Sequence, residues 1–242
     1  MSRLAVLFLL LTALPLRAEQ ALIAVAANFL KPAEVLAAAY EEQSGHEISL
    51  AGGSTGQHYA QIIHGAPYDA FLAADGARPA LLVDQNLGDG RFTYAVGRLA
   101  LFSAGNFTVA EGLQPLLTAR FVAIANPALA PYGRAAHEVL EGAALWVPLR
   151  DRIVQGQNAG QAFGMVASGN AEVGLVALSQ AKAVGGDYWE IPAHLHSPIR
   201  QDAVLLSRGK GNLAAEGFLA YLGSDAALAA IESFGYDRPE PE

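Results

Sequence analysis

Gly52-Gly53-Ser54-Thr55-Gly56 is the stretch of this sequence with the most chemistry in it. It follows a β-branched and apolar run beginning at Ile48 and precedes a helical segment that Gly65 stops. Glycine lets the backbone approach a ligand closely, because no Cβ intervenes. A serine at the mouth of a helix presents its hydroxyl beside unpaired N–H groups and the positive end of the helix dipole, which together make an anion cradle. The same five residues also fit G-x-S-x-G, the elbow from which a hydrolase serine attacks an acyl carbon. A third reading gives Ser54 no ligand: it caps the helix, and the glycines make the turn.

The elements around this stretch repeat its pattern. Residues 21–27 are an apolar run of strand length, Asn28 follows, and a helical pattern with Pro32 in its first turn runs to Ser44 before Gly45 stops it. Residues 65–75 read as a turn and a buried strand, followed by a helix that ends in a glycine-rich loop. Residues 91–103 form a long β-leaning run interrupted by Gly97, which could pass from one lobe to another. Residues 121–133 again run from strand to a proline-containing turn, with a helix from about Arg134 to Glu141. A strand, a turn at Gln157–Gly160 and a helix come next. One more strand follows, then two extended pieces joined by a link bearing Pro and His, a second plausible crossover. The end of the chain is helical with a frayed tail. Alternating strands and helices predict parallel-leaning α/β sheets, whose ligands sit beyond the carboxyl ends of the strands. Four turns qualify, at Asn28, Ser54, Tyr132 and Ala159. Two precede the first crossover and two follow it, so two lobes facing across a cleft would bring all four together.

Composition narrows the partners. The chain has 242 residues, 52% of them hydrophobic and 16% charged, enough for one large domain or two small ones. Residues 1–18 have the pattern of a secretory signal: Arg3, an apolar run over residues 4–14, Pro15, and a small residue at Ala18. That run is too short to span a bilayer comfortably, and no later segment is long and apolar enough. An exported, soluble mature chain is expected. With no cysteine there is neither a disulfide framework nor a thiolate metal site. Taking Arg3 and Arg17 from the 15 basic residues leaves 13 against 23 acidic ones, a net charge of −10. An acidic chain without Lys/Arg clusters argues against nucleic acid.

The hydrolase reading meets two objections. An elbow serine normally follows several strands, whereas Ser54 follows only two, and Asp202 comes after His194 and His196, reversing the usual serine, acid, histidine order. His194 and His196 have no partners at metal-ligand spacing and are expected on the surface of a link. His58 and His64 fall on a short helix and are expected to be solvated. Lys31 lies near the first turn, where it could add positive charge beside a ligand or simply be a solvated lysine. Ferric-ion binders of two-lobed architecture typically use adjacent tyrosines, and no Tyr-Tyr pair occurs among the eight here.

AVAANFLKPAEVLAAAYEEQSGH, GGSTGQHYAQIIHGAPYDAFLAAD, IANPALAPYGRAAHEVL and YLGSDAALAAIESFGY together resemble the periplasmic molybdate-binding proteins of ABC importers, in order and spacing, over nearly the whole mature chain. The resemblance implies a two-lobed periplasmic binding protein fold (type II), α/β, with two mixed-sheet domains joined by crossover strands and closing on a tetrahedral oxyanion. The implied domains are 19–98 with 200–242, and 99–199. The implied ligands to the oxyanion are Asn28 and Ser54 through their side chains, with Thr55 as a fallback for Ser54, and Tyr132 and Ala159 through backbone N–H groups. These same four residues would surround the molybdenum as its oxyanion. A tyrosine that some members contribute is Ala177 here, so its hydroxyl must be missing or come from elsewhere, with Tyr132 the candidate. The expected function is capture of molybdate, and of tungstate, for delivery to the membrane permease of an ABC importer. No cofactor and no catalytic residue are expected, and the protein should be a monomer. A serine hydrolase acting through Ser54, and a binder of another oxyanion such as sulfate, are the alternatives.

Overall fold

The computed structural model describes residues 18–240 apart from 106, 110 and 111. The expected signal segment therefore lies outside the described residues except for Ala18. The chain begins β1 (Gln20–Ala26), α1 (Leu30–Ser44), β2 (Glu47–Gly53), α2 (Thr55–Ile63), β3 (Ala70–Leu72), α3 (Ala77–Asp84) and β4 (Gly88–Gly97). It continues with β5 (Leu99–Ser103), β6 (Val122–Ala125), α4 (Pro131–Gly142), α5 (Trp146–Leu149), β7 (Ile153–Gly156), α6 (Ala159–Ala167), β8 (Val173–Ala177), α7 (Leu178–Val184) and β9 (Asp187–Glu190). Last come β10 (Ile199–Leu206), α8 (Leu213–Leu222) and α9 (Asp225–Ser233).

Two five-stranded sheets result, ordered β2-β1-β3-β10-β4 and β7-β6-β8-β5-β9. Each has three parallel strands beside a strand that runs antiparallel to its neighbours, β10 in the first and β5 in the second. The chain leaves the first sheet between Gly97 and Leu99 and returns between Glu190 and Ile199. These are the two crossovers expected between the lobes.

The inner parallel strands β1, β3, β6 and β8 are covered on both faces, which is why they read as unbroken apolar runs rather than alternating ones. In α1 the buried Ala33, Leu36, Ala37 and Tyr40 recur at helical spacing and pack on the first sheet with Phe218 and Leu222 of α8. Gly45, at φ 71°, turns the chain out of α1, and its N–H bonds the carbonyl of Glu41. A second core joins α4 to β5, β6 and β8 through Ala136, Val139 and Leu140. Three local expectations differ from the structure. α4 begins at Pro131 rather than Arg134, because proline at the first helical position has a suitable φ and no N–H to leave unpaired. The helical C-terminal segment is broken at Gly223, where Ser224 caps α9. Helices α5 and α7 have no counterpart among the expected elements.

Candidate functional site

Parallel pairing sets the turns side by side. Ala26 pairs with Gly53 at the carboxyl ends of β1 and β2, and Ala125 pairs with Gly156 at the ends of β6 and β7. Asn28 and Ser54 therefore follow neighbouring strand ends in one lobe. Residues 126–130, ahead of Tyr132, and Asn158, ahead of Ala159, do the same in the other. Contacts across the cleft join the two sets. The Gly56 N–H donates to the Leu129 carbonyl at 2.9 Å, and Gln57 Nε2 donates to Gln157 Oε1 at 2.8 Å. Arg78 Nη2 donates to the Ala128 carbonyl at 3.3 Å. A Cβ built on Gly160 would lie 3.5 Å from that of Ala27. The four expected turns thus converge, and none of Asn28, Ser54, Tyr132 and Ala159 is more than 4% exposed.

Each turn supplies different groups. Ser54 does cap α2, in a capping box: its hydroxyl accepts from the Gln57 N–H at 3.1 Å, while Gln57 Oε1 reaches back to the Ser54 N–H at 3.3 Å. Accepting that bond leaves the hydroxyl proton free to donate, so the cap and cradle readings are compatible. Thr55 Oγ1 instead accepts from the buried Ala74 N–H at 3.0 Å and so serves the packing of β3 onto α2. Tyr132 and Ala159 sit in the first turns of α4 and α6, where N–H groups have no partner within the helix. Asn158 caps α6 by accepting from the Gln161 N–H at 2.9 Å. None of the four expected ligands is a charged residue, so N–H groups and helix ends contribute to the field here beside the Arg78–Asp75 pair that reaches the same cleft.

Asn28 has its side chain in a buried hydrogen-bonded cluster. Its Nδ2 donates to Gln201 Oε1 at 2.9 Å and to Tyr236 Oη at 3.1 Å, so both amide protons have protein partners. Tyr236 Oη in turn donates to the Asn28 carbonyl at 2.8 Å and bonds Ser179 Oγ at 3.1 Å. The Tyr132 hydroxyl, the candidate to replace the one absent at Ala177, is buried against Gly97, where a Cβ would lie 2.2 Å from it. It lies beside the Tyr236 hydroxyl and the Asn28 amide, close enough for both to influence its titration but not at full hydrogen-bond geometry. Burial, with Tyr236 and Tyr94 nearby, pushes its pKa well above the ordinary value. The same desolvation raises Tyr236 to about 12 and Tyr94 well above 10.0.

The remaining polar residues are placed as follows. Lys31 has a 72% exposed side chain that pairs with Glu34 at 3.0 Å, and it lines a groove of about 360 Å³ together with Asn28 and Ser179. His58 is not solvated but 3% exposed, with Nε2 at 3.2 Å from the Val25 carbonyl and Nδ1 at 3.2 Å from Gln61 Oε1, and burial lowers its pKa. His64 and His194 are exposed, as expected, whereas His196 is buried in the return crossover with Nδ1 on the Ser197 carbonyl. Asp202 is fully buried and held by Arg91 and Thr93. Among the described residues neither Asp202 nor a histidine is hydrogen-bonded to Ser54, whose hydroxyl bonds the Gln57 N–H. A groove of about 440 Å³ is lined by Asp75, Arg134, Glu138 and Arg200 among others, but by none of the four expected ligands.

The comparisons agree with this architecture. A family model for bacterial extracellular solute-binding proteins matches residues 21–237. The molybdate-binding protein ModA of Rhodobacter capsulatus is 42% identical over 228 residues, covering 93% of this chain and 90% of that protein. ModA of Azotobacter vinelandii is also 42% identical over 228 residues, covering 91% and 90%. The solved Azotobacter vinelandii periplasmic molybdate-binding protein superposes with a TM-score of 0.87 at 38% identity, covering 91% of this chain and all of that one.

Proposed function

Because this chain belongs to the bacterial extracellular solute-binding proteins, we propose that it captures molybdate in the interlobe cleft and delivers it to the membrane permease of an ABC importer. The carrying observation is the convergence of four strand-end turns that offer donors and no carboxylate. Family membership makes it an extracytoplasmic protein. Removal of residues 1–18 on export, a periplasmic location and a monomeric state belong to the proposal, as do lobes of 19–98 with 200–242 and of 99–199. In this reading the protein has no catalytic role and no cofactor.

The proposed ligands are the Ser54 hydroxyl, the backbone N–H groups of Tyr132 and Ala159, and the Asn28 turn, with Thr55 and Lys31 outside the contact shell. Such a shell is rich in donors and poor in acceptors. Near neutral pH molybdate, tungstate and sulfate are fully deprotonated, whereas phosphate keeps at least one proton that would need a buried acceptor. Leaving that proton unpaired costs about 1–3 kcal/mol. Sulfate has the right charge but is smaller and cannot reach all the fixed donors at once. Tungstate matches molybdate in charge and nearly in size. Calorimetric titration with the four anions should give tight molybdate and tungstate binding, weaker sulfate and no phosphate. Phosphate competing as well as molybdate would mean that an acceptor lines the pocket, and no binding of any of the four would overturn the oxyanion reading.

A further inference from the structure

The inward turn of the Asn28 amide raises the question of what the side chain does, since its two protons are already used. Its partners come from distant parts of the chain: Gln201 lies on β10, and Tyr236 lies just past α9. All three residues are buried, at 3% exposure or less. Asn28 and Tyr236 bond each other twice, amide to phenol and phenol to carbonyl. The single Tyr236 O–H goes to the Asn28 carbonyl and its oxygen accepts from Asn28 Nδ2, while Ser179 Oγ lies 3.1 Å from the phenol oxygen and 3.4 Å from the Asn28 carbonyl, with one proton to give to either. Ser179 belongs to α7 in the other lobe, so the phenol ties the Asn28 turn to the far side of the cleft. The ring is itself fixed, edge-on to Phe29 at 5.4 Å between centroids. The following residue, Asp237, exchanges two 2.9 Å backbone hydrogen bonds with Val96, just ahead of the first crossover.

On the proposed oxyanion function, we propose that Tyr236 is a positioning residue: with Gln201 it holds the Asn28 turn so that the turn offers the anion its backbone N–H rather than its amide side chain. Asn28 and Tyr236 then act as one unit, and removing either disturbs the same donor. In the alternative, Asn28 donates its side chain to the anion and Tyr236 is only part of the core.

A double-mutant cycle on the full mature chain separates the two. Molybdate affinity is measured by calorimetry for wild type, Tyr236→Phe, Asn28→Ala and the double variant, and apo melting is recorded for each. Tyr236→Phe keeps the ring that packs on Phe29. Positioning predicts that each single change weakens molybdate binding by about tenfold and that the double variant is no weaker than the weaker single. Losses that multiply, or a Tyr236→Phe protein that melts lower yet binds like wild type, overturn the inference. A second readout needs no ligand: proton exchange of the Asn28 side-chain amide, followed by NMR in anion-free buffer, should be slow in wild type and accelerated in Tyr236→Phe. Unchanged exchange also overturns the positioning role. Accelerated exchange together with a wild-type protein that binds no molybdate would instead locate the failure in the functional reading. If Tyr236→Phe does not fold, Ser179→Ala removes one bond of the same cluster from the other lobe, and the same two readouts apply.

Discussion

The two lobes carry the same turn. Ser54-Thr55-Gly56-Gln57 and Asn158-Ala159-Gly160-Gln161 both follow the edge strand of a parallel trio, and in both the first residue caps a nine-residue helix by accepting from the backbone N–H of the glutamine. Both glutamines fold back onto the turn, Gln57 onto the Ser54 N–H and Gln161 onto the Gln157 N–H. They differ in what remains. The first turn keeps a hydroxyl proton, uses Thr55 to hold β3, and donates the Gly56 N–H to Leu129 of the other lobe. The second has alanine at the threonine position, so its side chains offer no hydroxyl. In the proposed site one lobe would therefore bring a side chain that a point mutation can remove, while the other would bring backbone that only a change of shape can disturb.

The glycines give the strongest test of this contrast. A Cβ on Gly56 would lie 2.9 Å from the Leu129 carbonyl oxygen and 3.2 Å from its Cα, both backbone atoms that cannot swing aside. On Gly160 the nearest atoms would be at 3.3 and 3.5 Å. Gly56→Ala should obstruct closure and lower molybdate affinity by about a hundredfold, the upper range of an overpacking penalty. The apo helix would meanwhile gain about 0.5–1 kcal/mol. Gly160→Ala should cost no more than about tenfold. Titration of both variants beside apo melting checks the pair, and equal losses would remove the asymmetry.

The hydroxyls come next. Ser54→Ala should weaken binding by roughly ten- to a hundredfold, the effect of losing a hydrogen bond to a charged partner. Thr55→Ala should instead leave affinity alone and lower stability by about 1–3 kcal/mol, because the buried Ala74 N–H loses its acceptor. Denaturant melts and titrations of the two variants should therefore move in opposite columns of effect. Asn158→Ala removes only a cap and should cost about 0.5–2 kcal/mol of stability, with affinity changed by less than Ser54→Ala changes it.

The smallest expected effects are in pH. Burial holds the His58 pKa in the folded state below 6.5, so its contribution to stability is present above that value and lost as pH falls below it. Tyr236 is raised from 10.0 to about 12, and Tyr94 and Tyr132 shift in the same direction. Their contribution is present below pH 10 and is lost as pH rises towards 12. Denaturant midpoints measured across both ranges should fall at each end, and His58→Gln should flatten the acid limb alone.

Much of this was legible in the chain itself. Apolar runs ending in Asn28, Ser54, Pro131 and Asn158, each before a helical pattern, determine strand-turn-helix units, because capping and helix entry depend on residues three or four apart. The alternation of those units determines the α/β class. Tertiary structure alone decided where side chains found their partners. Asn28 meets Gln201 and Tyr236 across 173 and 208 residues, because β10 inserts between β3 and β4 and brings the C-terminal segment to the crossover. His58 and His196 read as polar positions on a short helix and a link, yet packing buried both. The physical reason is one of range: backbone geometry is set by near neighbours, whereas the burial and hydrogen bonds of a side chain are set by whichever distant strand the sheet register lays against it.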